Sequence, residues 1–98
     1  AAAAASADWS AKPGMGISLN NQAGEKTWPI TGATFILMQK KNDNAKNAAE
    51  VLKFFDWALT KGQGQASALE YIPLPDAVVA KIKESWKQIT DASGKPVI

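Results

Sequence analysis

Thr27–Lys41 reads TWPITGATFILMQKK, and its middle decides the fold. Ala33, Phe35, Ile36, Leu37 and Met38 form an apolar run broken only by Thr34. A strand apolar on both sides belongs in the middle of a sheet covered on both faces. The spacing therefore predicts an α/β fold with one buried central strand near Thr31–Gln39, and Phe35 and Leu37 in the core. Pro29 has no N–H to donate and biases Trp28 towards extended backbone, so the strand is expected to start at Ile30 or Thr31. Gly32 gives the backbone freedom where that strand begins. The remaining sequence supplies few further strands, so the chain reads as a portion of a larger sheet.

Downstream, Lys40–Lys46 is a polar loop in which Asp43, Asn44 or Asn47 offers a helix cap, and Asn47 with Glu50 loosely resembles a capping box. The stretch AAEVLKFFDWALTKG, Ala48–Gly62, follows. Its Ala48, Val51, Leu52, Phe55, Ala58 and Leu59 recur at helical spacing, and Phe54 and Trp57 widen that stripe. Gly62 is expected to close the helix in a left-handed conformation. Gln65–Glu70 suggests a short helical turn. Pro73-Leu74-Pro75-Asp76 starts a last helix, with Pro75 at its first position and Asp76 beside unpaired N–H groups. Val79, Ile82, Trp86 and Ile89 repeat along it. The expected core is thus Phe35, Leu37, Leu52, Phe55, Trp57, Leu59, Val79, Ile82 and Trp86.

Upstream, Ala1–Ala7 reads as helical turns or a frayed terminus. Asp8–Lys12 is a loop, Pro13-Gly14 a turn, and Gly16–Asn20 a short half-exposed strand. Burial is the expectation for Trp57 and Trp86, whereas Trp9 and Trp28 stay open between burial and a stacking surface.

Composition limits the chemistry. All eleven positive charges are Lys, nine Asp and Glu oppose them, and Arg, His and Cys are absent. Without Arg there is no bidentate fork for carboxylate or phosphate. Without His and Cys the chain lacks the usual proton shuttle, thiolate nucleophiles and the commonest metal ligands. No serine has an activating partner, so no enzyme activity, cofactor or metal site is expected. Asp56 beside Trp57 reads as a solvated helix residue. The Asn42-Asp43-Asn44 cluster lacks the loop pattern of a calcium site. The lysines are interleaved with acids and form no basic stripe, which argues against nucleic acid as a partner.

Several motifs together resemble one family. WPITGATFILM, EVLKFFDWALTKG, ALEYIPLPDAVVAKIKESW and the terminal SGKPVI occur in order, preceded by ADW and SLNNQAG. They resemble the carboxyl-terminal part of the phosphate-specific substrate-binding proteins of bacterial ABC transporters. The resemblance implies a fragment of a two-lobed, class II type periplasmic-binding-protein fold, mostly helical in this segment. It implies a periplasmic protein whose partners are inorganic phosphate, an ABC transporter permease and the remainder of its own polypeptide. By position, residues 1–29 end the second lobe and residues 30–98 form the carboxyl-terminal part of the first. The inter-lobe crossing then falls at Trp28, Pro29, Ile30, Thr31 and Gly32, read either as a hinge or as a static start of the strand. The family's phosphate ligands lie upstream, and none is expected here. The alternative reading is a free-standing helical interaction module with its apolar faces covered.

Overall fold

A computed structural model describes all residues, Ala1–Ile98. The chain divides into two compact units, Ala1–Phe35 and Ile36–Ile98. No helix is long and apolar enough to cross a membrane.

In the first unit, helix α1 spans Ala2–Ser6. Five residues cannot hold a helix on propensity alone. Trp9 stabilises it: the ring is buried, and its indole N–H donates to the Ala4 carbonyl at 2.9 Å. That bond satisfies the one polar atom a buried tryptophan carries. Ala3, Ala4, Ala7 and Leu19 complete the buried set of this unit. Pro13–Met15 forms a 3-10 turn, in which Gly14 and Met15 both take left-handed φ, 66° and 59°. The expected strand at Gly16–Asn20 does not form, because no neighbouring segment pairs with it. Its alternation survives only as burial, with Leu19 inside and Ile17 half-buried.

The second unit holds the longer helices. Helix α2 spans Ala45–Leu59, and Asn44 is its cap: Oδ1 accepts from the Asn47 N–H at 3.0 Å. Of the three candidate caps, Asn44 is the one used. Helix α3 spans Gln63–Ala68 and helix α4 spans Asp76–Ser85, continued by a 3-10 turn over Trp86–Gln88. Pro75 lies one position earlier than expected, as the cap of α4 with extended backbone. Its carbonyl accepts from Val78 and Val79. Ala48, Leu52, Val78, Val79 and Ile89 are buried. Phe55, Leu59, Ile82 and Trp86 are half-buried, so most of the predicted helix stripes face inward, but Val51, expected in the α2 stripe, is 40% exposed.

The central strand expected at Thr31–Gln39 is absent. This stretch is irregular, Phe35 is 47% exposed and Leu37 is 93% exposed, so neither is core. A buried strand needs a neighbour on each edge and a layer over each face, and nothing in this chain supplies them there. The sheet begins later instead. Strand β1, Lys41–Asn42, pairs in parallel with β2, Thr90–Asp91, placing Lys41 opposite Thr90 and Asn42 opposite Asp91. The Thr90 N–H extends the ladder to the Lys40 carbonyl at 2.6 Å. Parallel strands require a long crossover, which α2, α3 and α4 provide.

Trp57 is a second correction, at 44% exposed. It lies at the outer edge of the α2 stripe, with its ring 6.3 Å from that of Phe54 and its Cζ3 close to Gly62. Gly62 is a third, because its φ is −78°, not left-handed. Glycine is needed there for space: an added Cβ would lie 3.0 Å from the Ala58 carbonyl oxygen and 3.3 Å from Trp57 Cζ3. The Gly62 N–H donates back to the Trp57 carbonyl at 2.9 Å, closing α2 as α3 starts.

Candidate functional site

The residues singled out by sequence, Trp28–Gly32, form the far side of a polar loop that starts at Ser18. The Asn20-Asn21 turn holds them. Asn21 takes a φ of 53°, a left-handed value that asparagine tolerates better than most residues. Its N–H donates to the Pro29 carbonyl at 2.9 Å. Asn20 Oδ1 accepts from the Thr31 N–H at 3.0 Å, and Thr31 Oγ1 donates to the Trp28 carbonyl at 3.2 Å. Pro29 and Thr31 are therefore each tied to the turn through backbone atoms. Composition does not reveal such ties, since the Asn20–Thr31 bond spans eleven residues. The readable signal was the Asn-Asn pair itself, a turn-forming dipeptide.

Upstream, Thr27 secures the same loop. Its hydroxyl lies 2.8 Å from the Gln22 carbonyl and 2.9 Å from that of Gly24. Gly24 has a φ of 128°, accessible in practice only to glycine. The side chains of Trp28 and Ile30 point outward, at 78% and 86% exposed. Trp28 is thus a surface residue and Trp9 a buried one, which resolves the two tryptophans the sequence left open.

The anchoring stops at Thr31. From Gly32 to Met38 no backbone N–H or carbonyl is hydrogen-bonded within the chain. Gly32 has a negative φ, and a Cβ placed on it would meet nothing within 4 Å. The site is a firmly tied loop followed directly by an unconstrained glycine.

Other surfaces carry little chemistry. No group of three or more His, Cys, Asp or Glu side chains is placed to hold a metal ion. An open groove of about 560 Å³ runs between the α2–α3 junction and the start of α4, lined by Leu59, Gln63, Pro73, Leu74, Val79 and Lys83 among others. The Lys83 ammonium there is already engaged by the Asp56 carboxylate at 2.5 Å. Asp56 is accordingly half of a surface ion pair linking α2 to α4. Asp91 is held in a tight turn: its Oδ1 accepts from the Ser93 hydroxyl at 2.6 Å and from the Ser93 and Lys95 N–H groups at 2.8 and 3.0 Å. The Ser93 hydroxyl first, then the Lys95 amide, hold its carboxyl below the ordinary aspartate value.

Comparison with known proteins gives this geometry its setting. The chain is 52% identical over 86 residues to the phosphate-binding protein PstS of Haemophilus influenzae, a match covering 88% of the chain and 26% of that protein. The chain is a carboxyl-terminal segment of the PstS family. It is 42% identical over 95 residues to the phosphate-binding protein PstS of Pasteurella multocida, covering 96% of the chain and 28% of that protein. The corresponding protein of Xylella fastidiosa is 43% identical over 86 residues, covering 88% of the chain and 24% of its own length. The chain therefore spans about a quarter of the length of the curated relatives it matches. No family model matches it. Membership in the PstS family carries the periplasmic-binding-protein fold, and the parallel β1–β2 pair with its helical crossover is an α/β element in keeping with it.

Proposed function

We propose that this segment serves as scaffold and inter-lobe hinge in a two-lobed, class II type phosphate-binding protein. That protein captures inorganic phosphate in the periplasm and delivers it to an ABC transporter permease. The observation that carries the reading is the 52% identity over 88% of the chain to a phosphate-binding protein PstS. Residues 1–29 close the second lobe, residues 30–98 complete the first, and Trp28, Pro29, Ile30, Thr31 and Gly32 make the crossing. The ligands of phosphate belong to other parts of the polypeptide. The absence of Arg from the chain supports that division, since a planar fork is the preferred grip on phosphate.

Lobe closure needs a few backbone positions that absorb a change in φ and ψ. Thr31, fixed to the Asn20 side chain, and Gly32, free of hydrogen bonds and of steric neighbours, form a boundary of that kind. The test is Gly32→Val in the full-length parent. A Cβ at this position meets nothing within 4 Å in this chain, and a β-branched residue restricts the backbone there. Altered phosphate association and dissociation rates are expected in stopped-flow measurements. Unchanged closure kinetics remove the hinge role. The rival reading, a free-standing interaction module, called for covered apolar faces. Phe54 at 60% exposed and Leu37 at 93% exposed speak against it.

A further inference from the structure

We propose that Asn20 is a positioning residue for lobe closure, holding the crossing segment at Thr31 so that the chain leaves the loop in one direction. The inference rests on the reading of Trp28–Gly32 as the inter-lobe crossing. It does not depend on what pairs with the apolar stretch beyond. Three ties in succession join the two sides of the loop. The Thr27 hydroxyl lies 2.8 Å from the Gln22 carbonyl, the Asn21 N–H donates to the Pro29 carbonyl at 2.9 Å, and Asn20 Oδ1 accepts from the Thr31 N–H at 3.0 Å. The third is the last: beyond Pro29, no other hydrogen bond joins the crossing to the turn.

The register of these bonds shows what Asn20 replaces. In an antiparallel ladder, an Asn21 N–H to Pro29 carbonyl bond is matched by one from the Thr31 N–H to the Leu19 carbonyl. Here the side-chain oxygen of Asn20 stands in for that carbonyl. An amide oxygen is an acceptor of the same kind as the one it replaces. Asn20 is itself held: its N–H donates to Ser18 Oγ at 3.2 Å, and the Gln22 side chain donates to the Ser18 carbonyl at 3.0 Å. Leu19, between Ser18 and Asn20, is buried, so the acceptor sits on an anchored base. The Asn21–Pro29 bond alone leaves the crossing free to swing about it, and the second bond two residues on removes that freedom. Without Asn20, Ile30 and Thr31 sample more backbone conformations while the lobes are open. Closing over phosphate must then order them, which weakens binding and slows closure.

The test uses the full-length parent, with inorganic phosphate as the probe in calorimetry and stopped flow. Asn20→Ala is expected to weaken phosphate binding about 2- to 10-fold, the range for loss of one hydrogen bond. Amide exchange at Thr31 quickens with it, while the urea midpoint stays near that of the parent, since Asn20 is exposed. Asn20→Asp keeps an acceptor oxygen and recovers most of the loss, which a general disturbance of the loop would not do. Gly32→Val, measured alongside, separates this role from the hinge reading. If Gly32→Val alters the closing rate and Asn20→Ala does not, the hinge stands and the role of Asn20 falls. If neither variant alters it, the hinge reading falls and takes this role with it. A lower urea midpoint with unchanged phosphate rates, or equal losses in Asn20→Ala and Asn20→Asp, also overturns the proposal.

Discussion

Helix α2 and the Gly32–Met38 segment both carry runs of large apolar residues, yet their backbones meet opposite fates. A helix closes its backbone hydrogen bonds within itself, so α2 needs only a cap and one buried stripe. Asn44 supplies the cap, and Ala48 and Leu52 supply the buried side. A strand closes its bonds only with neighbours, and Gly32–Met38 has none in this chain. Helix α2 therefore buries one side and leaves Val51, Phe54 and Trp57 exposed, whereas nearly all of Gly32–Met38 is exposed. Apolar content alone predicts neither outcome; the location of the hydrogen-bond partners decides.

The sharpest way to break this contrast is a matched pair of leucines. Leu52→Ala, at the most buried large side chain, should cost about 2–5 kcal/mol in urea unfolding. Leu37→Ala should stay within about 0.5 kcal/mol at concentrations where the chain is monomeric. Comparable losses at both sites would mean the two regions do not differ as described. A smaller effect is expected at the end of α2. Gly62→Ala should destabilise by about 1–3 kcal/mol, because the new methyl meets the Ala58 backbone and the Trp57 ring. A stabilised variant would show that the close approach is readily relieved.

The smallest effect concerns the turn after β2. Asp91 has a folded-state pKa below its unfolded value near 3.9. Its contribution is thus present above that unfolded value and is lost as pH falls through the folded one. Asp91→Asn should flatten this acid limb, read as amide exchange at Ser93 and Lys95, while leaving α2 unchanged. An acid limb identical to that of the parent chain would assign the pH response to other carboxylates.

Much of the helical part was legible because its signals are local. The Leu52–Leu59 part of the stripe, the choice of cap near the start of α2 and the Pro-Leu-Pro-Asp start of α4 all act within a few residues. The errors cluster where the outcome depends on distant atoms. Trp57 sits at the margin of its stripe, where a small rotation of the helix separates burial from exposure. Gly62 was assigned for the right residue type and the wrong reason: close packing on Ala58 requires it, not left-handed φ. Within the candidate site, Pro29 and Gly32 were visible as backbone specialists, whereas the hold of Asn20 and Asn21 on them was not.

The sequence by itself determined the family, the helices and the lack of Arg, His and Cys, since each is written in residue identity or short-range spacing. Only the tertiary structure decided which apolar segment is covered. It buried Trp9 on α1, left Trp28 in solvent, and moved the parallel pair to Lys41–Asn42 and Thr90–Asp91. It left the apolar strand Thr31–Gln39 unformed, because strand pairing is a contract between segments far apart in the chain and no single segment carries its terms.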